Sequence, residues 1–360
     1  MTTTSVAGTP VGEPTTAYLF CHFTGTEQRE TDEQLYFAVS RDGLHWHDLR
    51  PEGSPILTSN LGERGMRDPY LVRAADGSRT WIIATDLSIY HRGGSWKTAR
   101  ANENGSTSLI VWESEDLAHW SEPWLLDVAS RIPGAGMAWA PEAIWDAERG
   151  VYMVFWATRS DEDNELGNAT NMYYATTTDF RTISEPVKWV DRAVQAIDAT
   201  MLRVDDWYYR ASAGNSYIHI ERSKDPYAVS TVPSFDDEPH AGDPNADERQ
   251  WQFMTNLDRI FGDDFNRLCG GNPESHRLEG PELFRFNDAD ADGMPFGLMG
   301  DRYNDHNGYI AFRTADLSST DAHDWAAADI DFGAVKKRHG TILPITEREY
   351  QNLLDTYDAH

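Results

Sequence analysis

The chain has 360 residues, of which 40% are hydrophobic and 12% aromatic, so it can build one large core or two average domains. It carries 31 basic against 59 acidic residues, and the net charge of −28 excludes a nucleic-acid backbone or an anionic membrane as a partner. Cys21 and Cys269 are the only cysteines, which excludes a disulfide framework or a cysteine metal cluster, and no apolar run reaches membrane length.

The first sixteen residues predict a flexible N-terminus without a signal peptide. They are rich in Ser, Thr, Pro and Gly and contain no apolar stretch of the kind that a secretory leader requires. We therefore expect residues 1–16 to lie outside the folded domain, and we expect the protein to be cytoplasmic.

From about Ala17 onward, one strand pattern recurs five times. A β-branched and aromatic run is followed by Ser or Thr, a spacer and Asp, and often by Trp a few residues later. The copies lie at 35–46, 109–120, 173–180, 217–225 and 309–317. A second strand type, bounded by turn residues, precedes several copies, at 80–85, 151–156 and 207–210.

A third strand type carries short signatures and comes earlier still in each repeat. It opens with Asp68-Pro69-Tyr70, Trp139-Ala140-Pro141-Glu142, Asp198-Ala199-Thr200 and Glu279-Gly280-Pro281. The starts at 68, 139, 198 and 279 are 71, 59 and 81 residues apart, a spacing that suits four-stranded propeller blades with long loops. The sequence therefore predicts an all-β, five-bladed β-propeller over residues 17–345, in which 17–49 and C-terminal residues share the fifth blade.

Two regions depart from the repeat. Residues 227–278 are long, irregular and partly acidic, and they predict a lid or rim insertion. Residues 346–360 predict a short C-terminal helix and tail, because Thr346 and Glu349 form a capping-box pattern and apolar residues follow on one face.

Three carboxylates, Asp68, Asp198 and Glu279, fall at equivalent places in the repeat. Taken singly, an Asp before Pro or near Gly is typical of a turn. Because the innermost strands of a propeller begin at the axis, their joint occurrence predicts one pocket lined by all three. An inverting glycosidase needs a carboxylic acid, a carboxylate base roughly 6.5–9.5 Å away, and room for a water. A third carboxylate would raise the pKa of the acid by charge repulsion.

Four motifs, in this order, resemble those of glycoside hydrolase family 43: Arg67-Asp68-Pro69-Tyr70, Trp139-Ala140-Pro141-Glu142, Ile197-Asp198-Ala199-Thr200 and Glu279-Gly280-Pro281. The resemblance covers about residues 17–350 and implies a five-bladed propeller that inverts anomeric configuration in α-L-arabinofuranosides, β-xylosides or arabinan. It also implies that Asp68 is the general base, Glu279 the general acid, and Asp198 the residue that orients the acid and tunes its pKa. The family often has Asp-Pro where this chain has Asp198-Ala199.

Three further residues are candidates for binding. Trp139 is a candidate sugar-stacking wall, with a place in the core as the alternative. Arg302, predicted at the start of a fifth-blade strand, is a candidate to bind a sugar hydroxyl or a catalytic carboxylate, with a surface salt bridge as the alternative. His339 resembles an axial histidine that meets a structural calcium ion, although calcium prefers oxygen and a lone His is commonly structural. No organic cofactor is expected.

The favoured function is an exo-acting glycosidase that releases terminal α-L-arabinofuranose from oligosaccharides or glycans. A β-xylosidase is the near alternative, because the two sugars present similar hydroxyl geometry. A retaining fructosidase-type propeller is disfavoured, since the chain lacks an Asn-Asp-Pro-Asn-Gly motif. A non-catalytic sugar-binding propeller is the third alternative, and it would not need a matched acid and base.

Overall fold

The described residues form twenty strands, which build five four-stranded antiparallel sheets. The computed structural model describes residues 13–50, 53–162, 170–271, 277–304 and 307–358. The innermost strands contact one another in a closed ring, so the sheets are the blades of a five-bladed propeller. This confirms the predicted fold class.

Blades II to V each follow the chain from the axis outward. Blade II contains β4 (Met66–Arg73), β5 (Thr80–Asp86), β6 (Ser108–Ser114) and β7 (Trp124–Asp127). Blade III contains β8 (Trp139–Asp146), β9 (Val151–Thr158), β10 (Asn171–Thr177) and β11 (Val187–Val190). Blade IV contains β12 (Ile197–Val204), β13 (Trp207–Gly214), β14 (Tyr217–Ser223) and β15 (Gln252–Asn256). Blade V contains β16 (Glu279–Arg285), β17 (Phe296–Arg302), β18 (Gly308–Thr314) and β19 (Trp325–Ala327).

Blade I joins the two ends of the fold. Its innermost strand, β20 (Arg338–Thr346), pairs antiparallel with β1 (Thr15–Phe23), and Leu19 lies opposite Leu343. The outer strands are β2 (Tyr36–Ser40) and β3 (Trp46–Asp48). C-terminal residues therefore close the ring through the N-terminal blade, as predicted.

Apolar clusters fill the wedges between neighbouring blades. The strands are buried on both faces and alternate their side chains between two wedges. Trp81 and Tyr152 lie between blades II and III, and Phe155 and Trp189 between blades III and IV. Most of the thirteen tryptophans therefore contribute to packing.

The recurring Ser/Thr-spacer-Asp pattern forms the turn after the third strand of each blade. In blade I, the Asp42 carboxylate accepts the Leu44 N–H at 2.8 Å and the His45 N–H at 2.9 Å. In blade II, Asp116 repeats these contacts. These carboxylates accept hydrogen bonds from backbone N–H groups at a tight turn. The Asp residues of this repeated pattern therefore have a structural role and not a catalytic one.

The irregular region 227–278 contains the last strand of blade IV, β15, so it is only partly an insertion. Short helices occur in several loops, and the structure places them at Glu30–Glu33, Trp96–Ala99, Ala101–Asn104, Phe235–Asp237, Leu257–Phe261, Asp264–Leu268 and Ala322–Asp324. Within the described ranges, no helix has the length and apolar character that crossing a membrane would require.

A C-terminal helix, Glu347–Tyr357, packs on the wedge between blades I and II, at the end away from the strand starts of the innermost layer. Thr346 and Glu349 form the predicted capping box, and Leu353 is fully buried. The Glu349 carboxylate also accepts two hydrogen bonds from Arg73 at the end of β4, at 2.6 and 3.2 Å. The predicted flexible segment 1–16 falls largely outside the described residues, and its flexibility stays a prediction.

Candidate active site

Every innermost strand has a β-bulge near its start. In β4 the pairing with β5 shifts between Arg67 and Tyr70, and β8, β12 and β16 shift at the same place. The bulge residues have left-handed backbone angles, with φ of 50° at Asp68, 48° at Ala140, 53° at Asp198 and 52° at Gly280. For a non-glycine residue this conformation costs roughly 1–3 kcal/mol, and such strain is typical of functional sites.

The bulges bring the three predicted carboxylates to one end of the ring, but their register differs from the prediction. Asp68 and Asp198 occupy the bulge position itself, whereas Glu279 lies one residue earlier and aligns with Arg67 and Ile197. Gly280 holds the bulge position in blade V. A β-carbon there would lie 2.6 Å from Cγ of His339, so only glycine lets the histidine approach.

Asp68 is held as an ionised carboxylate. Its Oδ2 accepts a hydrogen bond from the Thr85 hydroxyl at 2.8 Å, and its Oδ1 lies 3.4 Å from Nδ1 of His339. Burial alone would raise the pKa of Asp68, but the contacts to His339 and the positive charge of Arg67 outweigh it and lower that pKa. A carboxylate that stays ionised can accept a proton from water.

The pKa values of Asp198 and Glu279 are raised, in contrast to that of Asp68. Burial, together with the charge of Asp68, raises the pKa of Asp198 to about 6, although His339 and the Gly280 N–H favour its ionised form. Burial and the charge of Asp198 raise the pKa of Glu279 to about 8, with partial compensation from Arg338. Glu279 therefore carries a proton at neutral pH.

Arg338, which the sequence analysis did not single out, contacts Glu279. Its Nη2 lies 3.2 Å from Oε1 of Glu279, its Nε pairs with Asp301, and its Nη1 donates to the Gly25 carbonyl at 3.0 Å. Its position in the repeat could have pointed to it, because Arg338-His339 on β20 aligns with Arg67-Asp68 on β4.

Two other carboxyls, Glu142 and Glu282, lie one layer deeper and were also not predicted as a pair. Each is the first residue paired after its bulge, and both are nearly inaccessible. Burial raises the pKa of both, and their mutual repulsion adds to the effect at Glu142. Oε1 of Glu282 accepts the Ile342 N–H at 2.9 Å. The pair therefore holds a proton at neutral pH.

Trp139 lies at the start of β8, level with Glu279 in the repeat. Its ring is partly exposed and meets Trp96 edge-on, with the ring centroids 5.9 Å apart. It also packs against buried residues of the wedge between blades III and IV. Its place at the strand start is compatible with the predicted sugar wall, and that role stays a prediction.

Arg302 ends β17 instead of starting a strand, because the turn before β18 follows it directly. Its guanidinium donates to backbone carbonyls of Cys269, Asn307, Gly308 and Tyr309, at 3.1 to 3.4 Å. These contacts favour a structural role in the loop over the predicted contact to a sugar. Arg338 makes the carboxylate contact that was expected of Arg302.

His339 fits a calcium ion poorly in this arrangement. Its Nδ1 is engaged with Asp68, and although burial disfavours its charge, Asp68 raises the pKa of His339 to about 9. A protonated imidazole cannot ligate a cation, and calcium prefers oxygen ligands. In the described part of the chain, no group of three or more His, Cys, Asp or Glu residues is arranged to hold a metal. Calcium near His339 stays a prediction.

Comparison with known proteins identifies a matching family and a similar curated protein. A family model described as a probable glycosyl hydrolase domain, related to family 43, matches residues 13–351. An α-L-arabinofuranosidase of Bifidobacterium longum subsp. longum is 30% identical over 303 residues, which are 75% of this chain and 25% of that protein. The chain thus spans about a quarter of the length of this curated relative.

Two solved structures are among those that match the chain. The catalytic domain of an α-L-arabinofuranosidase from Coprinopsis cinerea has 13% identity and a TM-score of 0.46, and the similarity covers 79% of this chain and 75% of that one. An exo-β-1,3-galactanase from Phanerochaete chrysosporium has 14% identity and a TM-score of 0.44, with coverage of 72% and 48%.

Proposed function

Because the chain belongs to the family of probable glycosyl hydrolase domains related to glycoside hydrolase family 43, we propose that it is an inverting exo-glycosidase. Its proposed reaction releases terminal α-L-arabinofuranose from arabino-oligosaccharides or arabinosylated glycans. The similarity to the Bifidobacterium α-L-arabinofuranosidase supports this choice of sugar.

The proposal is carried by two carboxyls at the same end of the ring, Asp68 and Glu279, whose surroundings shift their pKa values in opposite directions. Asp68 is ionised and would remove a proton from water as it attacks the anomeric carbon. Glu279 is protonated and would donate its proton to the departing oxygen. The charge of Asp198 keeps the pKa of Glu279 high, and its hydrogen bond from the Gly280 N–H fixes the backbone next to the acid.

Arg338 would act as a positioning residue for the acid. It is nearly fully buried and anchored by Asp301 and by the Gly25 carbonyl, so its guanidinium offers Glu279 a fixed partner. A fixed partner reduces the number of rotamers open to the acid. After Glu279 has given up its proton, the same contact would stabilise the resulting carboxylate.

The test is activity on 4-nitrophenyl glycosides of α-L-arabinofuranose, β-xylose and galactofuranose, together with a fructan. We expect the highest kcat/KM on the arabinofuranoside. A higher kcat/KM on the β-xyloside would assign the protein to the near alternative. Binding of arabino-oligosaccharides without hydrolysis of any member of the panel would assign it to the non-catalytic alternative.

We further propose a cytoplasmic location, where small imported oligosaccharides would be the substrates. Both cysteines, Cys21 and Cys269, are free and buried, which is compatible with a reducing compartment. Immunodetection in fractionated cells of the source organism tests this, and recovery from the culture medium would contradict it.

A further inference from the structure

The second strand of every blade has one residue that lies opposite the start of the innermost strand. It is the partner of the last residue that is paired before the bulge. We name this place in the second strand the support position, and it is buried in all five blades, with at most 3% of the residue exposed. Its occupants, from blade I to blade V, are Phe23, Thr85, Ala157, Ala213 and Asp301.

Two of the five support positions are polar, and they belong to the blades that carry the proposed base and acid. Thr85 is on blade II with Asp68. Asp301 is on blade V with Glu279. Burying a polar side chain costs free energy unless it is hydrogen-bonded, so an apolar residue is the simpler choice for packing. Blade IV, whose Asp198 transfers no proton in the proposed reaction, has an apolar residue there. Packing therefore does not explain Thr85 and Asp301.

The Thr85 hydroxyl is held so that its single hydrogen points at the proposed base. The Ala140 N–H donates to its oxygen at 2.7 Å, which leaves the hydroxyl hydrogen for Oδ2 of Asp68, 2.8 Å away. The torsion that sets the plane of an Asp carboxylate is soft when the group has no partner. With one oxygen bound to a buried hydroxyl, that plane is fixed before the attacking water arrives.

Asp301 acts on the proposed acid through Arg338. Its Oδ2 accepts a hydrogen bond from Nε of Arg338, and Nη2 of the same guanidinium lies 3.2 Å from Oε1 of Glu279. Burial and nearby carboxylates, Asp301 among them, raise the pKa of Glu279, whereas Arg338 lowers it. Because Asp301 balances the charge of the guanidinium, Arg338 can hold Glu279 in place without removing its proton.

We propose that Thr85 and Asp301 are positioning residues for the two carboxyls that transfer protons, and that the support position is polar in the blades that carry such a carboxyl. The inference rests on the proposed function, because it takes Asp68 as the base and Glu279 as the acid. Thr85 orients the carboxylate that removes a proton from water. Asp301 fixes the guanidinium beside the acid and neutralises its charge.

The two roles predict different dependence on the leaving group, which kinetics on arabinobiose and 2,4-dinitrophenyl α-L-arabinofuranoside measure. Thr85→Val keeps the shape of the side chain but removes the hydroxyl, and both substrates need an activated water. We therefore expect kcat to fall on the order of tenfold on both, because a hydrogen bond to a charged group is lost, with KM little changed. Thr85→Ser keeps the hydroxyl and should retain most of the wild-type kcat.

Asp301→Asn keeps the shape of the side chain but removes its charge. The Arg338 charge is then balanced by Glu279, which loses its proton. We expect kcat on arabinobiose to fall on the order of tenfold, within the usual contribution of general acid catalysis. The 2,4-dinitrophenyl glycoside departs with little protonation, so its kcat should change little in the same variant.

Thr158→Val and Glu349→Gln are the matched controls. The Thr158 hydroxyl is fully buried and, like that of Thr85, accepts one hydrogen bond and donates another, from Nε1 of Trp156 and to the Met137 carbonyl. Glu349 is a buried carboxylate that pairs with Arg73 at the other end of the ring. Each control should lower the melting temperature and leave kcat on both substrates unchanged.

The outcomes separate this inference from the proposed function. If wild type hydrolyses neither substrate, the proposed function fails and the inference falls with it. If wild type is active but Thr85→Val keeps its kcat, or Asp301→Asn loses equally on both substrates or on neither, the positioning roles are wrong and the proposed function stands. Circular dichroism melts show which variants are folded, and Thr85→Ala or Asp301→Ser takes the place of one that is not.

Discussion

Glu279 and Asp68 are both carboxylates at the starts of innermost strands, yet their surroundings drive their protonation in opposite directions. Asp68 faces His339 and Arg67, and Glu279 faces the negative charge of Asp198. Such a pair of environments is how one protein provides an acid and a base at the same pH. The two residues should therefore respond differently to substitution and to pH.

Glu279→Gln should remove protonation of the leaving group. On arabinobiose, whose leaving group is poor, we expect kcat to fall about 10²–10⁴-fold, the usual contribution of general acid catalysis. The loss should be much smaller on a 2,4-dinitrophenyl arabinofuranoside, which departs with little protonation. Steady-state kinetics on both substrates measure the difference, and equal losses would show that Glu279 is not the acid.

In the pH profile of kcat/KM, the alkaline limb should report the loss of the proton from Glu279. The pKa of Glu279 is raised to about 8, so kcat/KM should fall as pH rises above about 8 and the acid loses its proton. Asp198→Asn removes the charge that helps to raise this pKa, and the alkaline limb should move to lower pH. An unchanged limb in Asp198→Asn would contradict the assigned coupling.

At the level of the strand, the bulge determines which side chains reach the axis. Ala140 has φ of 48° at the bulge of β8, while Ala143 lies three residues later in the same strand and is regularly paired with Val154. The N–H of Ala140 donates to the Thr85 hydroxyl at 2.7 Å, and that hydroxyl in turn holds Asp68. The bulge of blade III thus supports the carboxylate of blade II.

Ala140→Gly and Ala143→Gly should differ in stability. Both variants lose a buried methyl group. In both, the greater backbone entropy of the unfolded chain also lowers the free energy of unfolding by roughly 0.5–1 kcal/mol. Only Ala140→Gly also relieves the left-handed strain, which is worth roughly 1–2 kcal/mol. We therefore expect Ala140→Gly to leave the melting temperature within about 1 °C of wild type and Ala143→Gly to lower it by a few degrees. Calorimetry decides, and equal losses would argue against strain at the bulge.

The strand pattern and the signatures predicted the five blades, the ring closure and the capped C-terminal helix. Glu279 lies one residue before the position that Asp68 and Asp198 hold, and this offset was not predictable. A bulge adds a residue to the strand, and the pattern of apolar and polar residues does not show where. Arg302 was misplaced for a related reason, since Gly300-Asp301-Arg302-Tyr303 reads as a strand start but lies at a strand end. The contact of Arg338 with Glu279 required the order of the blades around the ring, which brings β20 beside β16.

At the scale of the whole molecule, buried carboxyls should make stability depend on pH. The pKa of Glu282 is raised in the folded state to about 8, above its value in the unfolded chain. The native state therefore binds the proton more tightly, so this contribution is fully present below about pH 4.5 and is lost as pH rises through about 8. We expect the melting temperature at pH 8.5 to be on the order of 5 °C below that at pH 5.5. Glu282→Gln should flatten this decline, and an unchanged slope would rule out Glu282 as its source.

The stereochemistry of the reaction follows from the positions of the blades. Asp68 is on blade II and Glu279 on blade V, with blade I between them. Direct nucleophilic attack would need carboxyls only about 5–5.5 Å apart, whereas separated blades favour the wider gap that admits a water. The first product from an α-L-arabinofuranoside should therefore be β-L-arabinofuranose. Proton NMR in the first minutes shows it, and transfer to added methanol with retained configuration would contradict inversion.

The closure of blade I has a consequence for the order in which a nascent polypeptide acquires its activity. Of the strands that the structure describes, β1 is synthesised first and β20 last, and β20 brings Arg338 and His339 to the two carboxylates. During translation, the inner edge of β1 stays unpaired and Asp68 and Glu279 lack these partners. The proposed hydrolysis would therefore begin only after β20 has left the exit tunnel and docked.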